Sequence, residues 1–68
     1  MTHKIRQHTY TTEELKEAVE YIENDIVYLE KQLAKYKENK TSSYVCEKVA
    51  ENIEYDKAFL KEFLEALA

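Results

Sequence analysis

The 68-residue chain contains no glycine, no proline and no tryptophan, and it has one cysteine and one methionine. Because glycine and proline mark most turns, their absence favours long uninterrupted helices. One cysteine excludes an intrachain disulfide, and no zinc-ligand spacing is present to replace it. A single core in so short a chain rarely supplies more than about 3–5 kcal/mol, so self-association is the expected source of further stability.

Long apolar runs are also missing, and none approaches the ~20 residues that a transmembrane helix needs. The N-terminus lacks the apolar region of a signal peptide, so the sequon at Asn39 is not interpreted as a glycosylation site. We therefore expect a cytoplasmic protein without a membrane partner. Six tyrosines and two phenylalanines provide aromatic surface to bury, which argues against a disordered chain.

A strong helix start lies at residues 10–15. Thr11 as N-cap and Glu14 three residues later form a capping box, and Tyr10 can pack on Leu15 as a hydrophobic staple. Apolar residues then recur at alternating steps of four and three, which predicts a heptad seam over three successive heptads. This seam consists of Leu15, Val19, Ile22, Ile26, Leu29, Leu33 and Tyr36.

A second seam follows a short polar connection. Asn39 is predicted to end the first helix as a left-handed cap, and residues 41–43 supply the turn and a new N-cap. The second seam comprises Cys46, Val49, Ile53, Asp56, Leu60, Phe63 and Leu67. The predicted fold is all-α: a basic tail (1–10) precedes an antiparallel helical hairpin (11–68), with helix 1 over about 12–39, a turn over about 40–43 and helix 2 over about 43–67.

Helix 2 carries more apolar surface than one neighbouring helix can cover. Tyr55, Phe59 and Phe63 form an aromatic row at steps of four, and helix 1 adds a second stripe beside its seam. We therefore expect a homo-oligomer, most simply a dimer forming a four-helix bundle; a monomer with scattered exposed apolar residues is the alternative. The expected oligomer or partner surface contains Ala18, Tyr21, Asp25, Tyr28, Gln32, Tyr55, Asp56, Phe59 and Leu64.

Asp56 interrupts the second seam at a core position, opposite the region of Asp25 and Tyr28. A buried carboxylate is costly unless it is paired or hydrogen-bonded, and Tyr28 or Lys57 could supply the partner. Three interpretations follow: a local rotation places Asp56 at the edge of the seam, it fixes register or oligomer state, or it binds a ligand or transfers a proton.

No catalytic or metal-binding pattern is visible. Cys46 fits a small buried hydrophobe better than a reactive thiol, because both histidines lie far away in the tail. His3 and His8 are five residues apart, which is not the same-face spacing of a helical metal site. Most carboxylates fit solvated helix faces. We expect no catalytic residue, no cofactor, no metal and no enzymatic activity.

Charge is segregated along the chain. Residues 1–10 carry +2, residues 13–30 carry −6, residues 31–48 carry +3 and residues 49–68 carry −3. In an antiparallel hairpin the acidic blocks meet at the open end and the lysines gather at the turn. Glu62 and Glu65 lie beside the carbonyl end of helix 2, where negative charge is unfavourable. We expect the basic tail to fold back on them, or an external basic partner to do so.

Three classes of function remain. The leading one is a regulatory or inhibitory protein–protein interaction module that docks through an acidic, tyrosine-bearing surface, with Glu13, Glu17 and Glu20 as the acidic partner patch. The second is nucleic-acid binding through the lysine-rich turn and the tail, disfavoured by the net charge of −4 and the single arginine. The third is capture of a small ligand or nucleotide at the seams of an oligomer.

Overall fold

A computed structural model describes residues 1–68. Along the chain it contains strands β1 (Thr2–Ile5) and β2 (His8–Thr11), then helices α1 (Thr12–Glu38) and α2 (Ser43–Leu67). The two helices pack against each other in a molecule of 47 × 18 × 15 Å. This confirms the predicted helical hairpin, to which the small two-stranded sheet is an addition that the sequence reasoning did not foresee.

The start of α1 is fixed by its cap. The Thr11 hydroxyl accepts from the Glu14 amide at 3.1 Å, and the Glu14 carboxylate accepts from the Thr11 amide at 2.8 Å. The predicted capping box is thus confirmed. Glu13 in the first turn, and Lys35 and Lys37 in the last, complement the helix dipole at both ends.

α1 ends at Glu38 with Asn39 as its C-cap, but the left-handed residue lies one position after the cap. The prediction that Asn39 is left-handed is wrong, since its φ is −83° and its amide still donates into the helix. Lys40 takes the left-handed conformation instead, with φ 57°. The Thr41 amide donates to the Tyr36 carbonyl at 2.9 Å, and the Lys40 amide to the Lys37 carbonyl at 3.2 Å. These two bonds form a Schellman motif, which reverses the chain without glycine.

The ends of α2 are less strongly marked. Ser42 is the N-cap and accepts from the Val45 amide at 3.4 Å. The first turn holds no acid and the last turn no base, so neither end complements the dipole through its own residues. Neither helix has the length and apolarity that crossing a membrane would require.

Residues 1–10, predicted only as a basic tail, form most of a β-hairpin. β1 and β2 pair antiparallel, with Thr2 opposite Thr11 and Ile5 opposite His8. Arg6 and Gln7 form the two-residue turn between them, and Arg6 has φ 58°. A positive φ at the first turn residue matches the right-handed twist of paired strands but is usually taken by glycine.

The core lies at the open end of the helical hairpin. Ile5, Leu15, Val19 and Phe63 form one buried cluster, so the β-hairpin supplies part of the core that covers the two helices. Ile26 and Ile53 are the other buried residues. The remaining seam residues are half-buried, namely Ile22, Leu29, Leu33, Tyr36, Cys46, Val49, Asp56, Leu60 and Leu67.

Candidate interaction site

A row of aromatic rings runs along α2 from the core to the surface. The ring centroids of Tyr55 and Phe59 are 5.2 Å apart and those of Phe59 and Phe63 are 5.8 Å apart, with near edge-to-face geometry. Contacts between rings four residues apart confirm the predicted row. Tyr10 from β2 extends it, 5.2 Å from Phe63. Phe63 is buried whereas Tyr55 is 57% exposed, so the row ends on an open surface.

A groove of about 320 Å³ lies beside this row, between α1 and α2. We call it the aromatic groove. Its lining consists of Tyr10, Ala18, Tyr21, Ile22, Tyr55, Asp56, Phe59 and Phe63. Asp56 is the only charged side chain among them, so one carboxyl group projects into an otherwise apolar and aromatic surface.

The aromatic groove brings together five residues of the expected partner surface, namely Ala18, Tyr21, Tyr55, Asp56 and Phe59. Tyr21 is 73% exposed, so a large part of its ring is uncovered beside the groove. Asp25 is half-buried and close to Asp56. The structure does not place Tyr28, Gln32 or Leu64 in the lining: Tyr28 and Leu64 are exposed elsewhere and Gln32 is half-buried.

Asp56 is half-buried and lacks a hydrogen-bond donor. Its Oδ2 atom is buried without a partner. The Asp25 carboxyl group is its neighbour, and a hydrogen bond between the two groups forms only when one of them is protonated. A hydrogen bond to Asp25, partial burial and repulsion by Asp25 together raise the pKa of Asp56 to about 6.

Neither of the donors expected for Asp56 reaches it. Lys57 lies 3.9 Å from Glu54 instead, and the exposed Tyr28 makes no hydrogen bond to the carboxyl group. For Lys57 the physical reason is helical geometry, because a residue one step from Asp56 points about 100° away from it. Asp56, with Asp25 close to it, therefore lines the groove without a neutralising cation.

Arg6 shows how this surface holds a cation. Its guanidinium lies 4.0 Å from the centroid of Phe59 and 5.8 Å from that of Tyr55. Its Nη2 and Nε donate to Glu62 at 2.9 and 3.2 Å, and its Nη1 donates to the Tyr55 hydroxyl at 3.4 Å. Hydrogen bonds to Glu62, then to Tyr55, raise the pKa of Arg6. The expected return of the basic tail onto the end of α2 is confirmed for Glu62, which pairs with Arg6, whereas Glu65 takes part in no ion pair.

The acidic patch predicted on α1 is exposed and unpaired. Glu13, Glu17 and Glu20 take part in none of the three ion pairs of the molecule. Glu17 lies four residues before Tyr21, so on a helix it borders the aromatic groove. The groove and this patch therefore form one continuous surface of aromatic and negatively charged groups.

The other chemically interesting residues have local partners. The half-buried Cys46 thiol lies 3.9 Å from the Thr41 carbonyl, consistent with a small buried side chain. His3 is bonded to the Thr12 hydroxyl at 3.1 Å. No three histidine, cysteine or acidic side chains are grouped closely enough to hold a metal ion.

A second groove of about 380 Å³ lies nearer the turn. Its lining contains two acids and two lysines alongside apolar residues, namely Glu30, Leu33, Ala34, Lys37, Ala50, Ile53, Glu54 and Lys57. Its charges are balanced, whereas the aromatic groove carries an unneutralised carboxyl group. The aromatic groove is thus the better candidate site.

Comparison of the chain with family models, curated proteins and solved structures finds no match. The site therefore rests on its own geometry. Sequence reasoning missed that Tyr10 forms a groove wall and that Ile5 belongs to the core. The only signal was the presence of three threonines, one isoleucine and one tyrosine among residues 2–11, since these residue types favour strands.

Proposed function

We propose that the chain is a non-enzymatic protein–protein interaction module, a small cytoplasmic regulator or inhibitor that docks its partner on the aromatic groove. The observation that carries the proposal is the exposure of Tyr21 and Tyr55, 73% and 57%, beside a carboxyl group without a cation. Tyrosines are enriched in interface hot spots because they bury much area at little entropic cost.

The acidic patch gives this surface its expected selectivity. Glu13, Glu17 and Glu20 follow one face of α1 at steps of four and three and have no intramolecular partner. Exposed charges at the rim of an interface mainly steer association and exclude partners of like charge. A partner with a basic surface is therefore expected.

The test is affinity capture from the native host with three forms of the chain. The wild type is compared with a variant carrying Glu13→Lys, Glu17→Lys and Glu20→Lys. The control carries three reversals away from the groove, Glu38→Lys, Glu47→Lys and Glu51→Lys, so both variants change net charge equally. We expect the wild type and the control to retain one defined protein that the first variant and Tyr21→Ala lose. Equal retention by all folded forms would refute the proposal.

A second copy of the chain is the alternative occupant of the same face. A second copy placed over the exposed face of the helices would complete a four-helix bundle and cover Tyr21 and Tyr55. It would also bring two sets of Asp25 and Asp56 together, which disfavours it at neutral pH. The heterologous partner is therefore the leading occupant and the second copy the alternative.

Capture of a small ligand is a second candidate function. A groove of about 320 Å³ falls at the small end of ligand-binding sites, and tyrosine hydroxyls with a carboxyl group could orient a polar ligand. A thermal-shift panel of metabolites and nucleotides tests it, because a bound ligand stabilises the folded state. Absence of any stabilisation would leave the interaction module as the better proposal.

A further inference from the structure

The aromatic groove has a feature that points to the chemistry of its partner. Phe59 lies three residues after Asp56 and three residues before Glu62, so an acid is placed on each side of its ring. On the Glu62 side Arg6 occupies the space between ring and carboxylate, with its guanidinium 4.0 Å from the ring centroid. On the Asp56 side the groove lining contains one carboxyl group, that of Asp56, beside the exposed rings of Tyr21 and Tyr55, and it contains no cation. Asp25 lies close to Asp56.

From this asymmetry we infer that the partner is a protein segment carrying an arginine, whose guanidinium lies between the carboxylates of Asp25 and Asp56 and against the rings of Tyr21 and Tyr55. The inference deepens the proposed function and rests on it. Arginine fits better than lysine because its planar fork can bond two carboxylates while it stacks on an aromatic face.

The surroundings favour an occupant with a positive charge. Asp25 from α1 is the group that acts on Asp56, the groove around them is lined by Tyr21 from α1, Tyr55 from α2 and Tyr10 from β2, and none of these residues is a base. Two cations of the neighbourhood are already engaged, Arg6 by Glu62 and Lys57 by Glu54. A guanidinium in the groove beside the Asp56 carboxyl group would offset the repulsion between the two carboxylates.

The other residues of the groove lining determine the length and the apolar content of the partner segment. Ala18, Ile22 and Phe63 form the apolar part of the groove, and about 320 Å³ accommodates only a few side chains. The segment is therefore short and amphipathic, with one or two apolar side chains next to the arginine. Helical segments with such a pattern commonly bind in grooves of this kind.

The test uses the full 68-residue chain, labelled for NMR, and two synthetic peptides. Both are short amphipathic helix-forming peptides; one carries a central arginine, and the other carries citrulline, which has nearly the same shape without the charge. At pH 7.5 we expect the arginine peptide to bind at least about tenfold more tightly. The amide signals of Tyr21, Tyr55 and Asp56 should shift on binding.

Variants of Asp25 and Asp56 test where the arginine of the peptide binds. With Asp25→Asn and Asp56→Asn together, the preference for arginine over citrulline should fall to about twofold or less, whereas the control Glu47→Gln should keep it. Lowering the pH to 5 should also weaken the preference, because Asp56 becomes protonated. A preference unchanged in the double variant would overturn the proposed contact.

Other outcomes separate this inference from the proposed function. If both peptides bind equally at the aromatic groove, the inferred arginine contact is wrong, but the groove is still supported as a docking surface. If neither peptide shifts the amide signals of the groove residues, the inferred arginine contact is also wrong. The capture experiment would then decide the proposed function independently. If the amide signals of the groove residues shift when the protein alone is diluted, and neither peptide changes this behaviour, a second copy occupies the groove and the inference is wrong.

Discussion

At the scale of single residues, the Asp56 carboxyl group lies half-buried beside Asp25 without a cation. Its pKa is raised from 3.8 to about 6, mainly by the hydrogen bond to Asp25. The folded state thus holds this proton more tightly than the unfolded chain does. Its contribution to stability is present below about pH 4 and is lost as pH rises through 6.

Asp56→Asn is expected to stabilise the protein above pH 6. The amide cannot ionise and can donate to Asp25, so the gain at pH 7.5 should be about 1–2 kcal/mol after allowance for solvent screening. Thermal unfolding of both forms between pH 4 and 7.5 measures it, and the difference should grow up to about pH 6 and then level off. Glu47→Gln is the control, because Glu47 is exposed and has no ion-pair partner. A stability difference that does not depend on pH would contradict the proposed connection between the ionisation of Asp56 and the stability of the fold.

Single residues also show how far the sequence determines the site. Heptad spacing predicted that Asp56 occupies a seam position near Asp25. It did not predict the pairing of Lys57 with Glu54, because exposed side-chain choices differ by less than about 1 kcal/mol. The same holds at the turn, where the left-handed residue moved from Asn39 to Lys40. Asparagine is only modestly favoured there, and the two bonds of the Schellman motif select the position.

At the scale of elements, the β-hairpin depends on the helices that it covers. A two-stranded hairpin alone is marginal in water, and its turn uses Arg6 at φ 58° where glycine is usual. Its anchor is Ile5, which is 7% exposed and belongs to the cluster with Leu15 and Phe63. Arg6 adds a second attachment to α2 through Glu62.

Ile5→Ala is therefore expected to detach the hairpin as well as to weaken the core. Loss of a buried isoleucine costs about 2–3 kcal/mol, which in a domain of this size lowers the melting temperature by roughly 10–20 °C. Hydrogen exchange should accelerate in Thr2–Thr11 beyond the change in global stability. Val27→Ala, at a 49% exposed site, should change either quantity little. Unchanged protection of β1 and β2 in Ile5→Ala would show that the hairpin is held in another way.

The helices could be predicted because their signals extend over many residues. Seam spacing, the capping box and the absence of glycine and proline all indicate the same elements, which is typical of a strongly specified hairpin. The strands are four residues each, too short for alternation to be distinctive, and their turn lacks the usual glycine or asparagine. Tyr10 illustrates this difference between local and long-range signals. Its position next to the N-cap of α1 could be predicted from the sequence, whereas its contact with Phe63 depends on a β-hairpin that tertiary packing stabilises.

At the scale of the whole molecule, charge and shape limit how two copies could associate. The open end is acidic and the turn is rich in lysine, so a second copy would lie antiparallel, with opposite charges facing each other. Asp25 is the central residue of α1 (Thr12–Glu38), and Asp56 is next to the centre of α2 (Ser43–Leu67). A two-fold axis through the middle of the helix face that carries the aromatic groove would therefore bring four carboxyl groups together.

Self-association through this face is consequently expected to strengthen as pH falls. Below about pH 6 Asp56 is protonated, and a dimer that brings the carboxyl groups together favours that protonated form further. Sedimentation equilibrium at pH 5.5 and 7.5 measures this, with a dimer constant at least about tenfold larger at the lower pH. Asp56→Asn should dimerise about equally at both values. Binding of an arginine-bearing partner has the opposite dependence, because a cation needs the ionised pair. Self-association that is unchanged by pH, or stronger at 7.5, would therefore exclude the aromatic face as the surface between copies and leave it free for another protein.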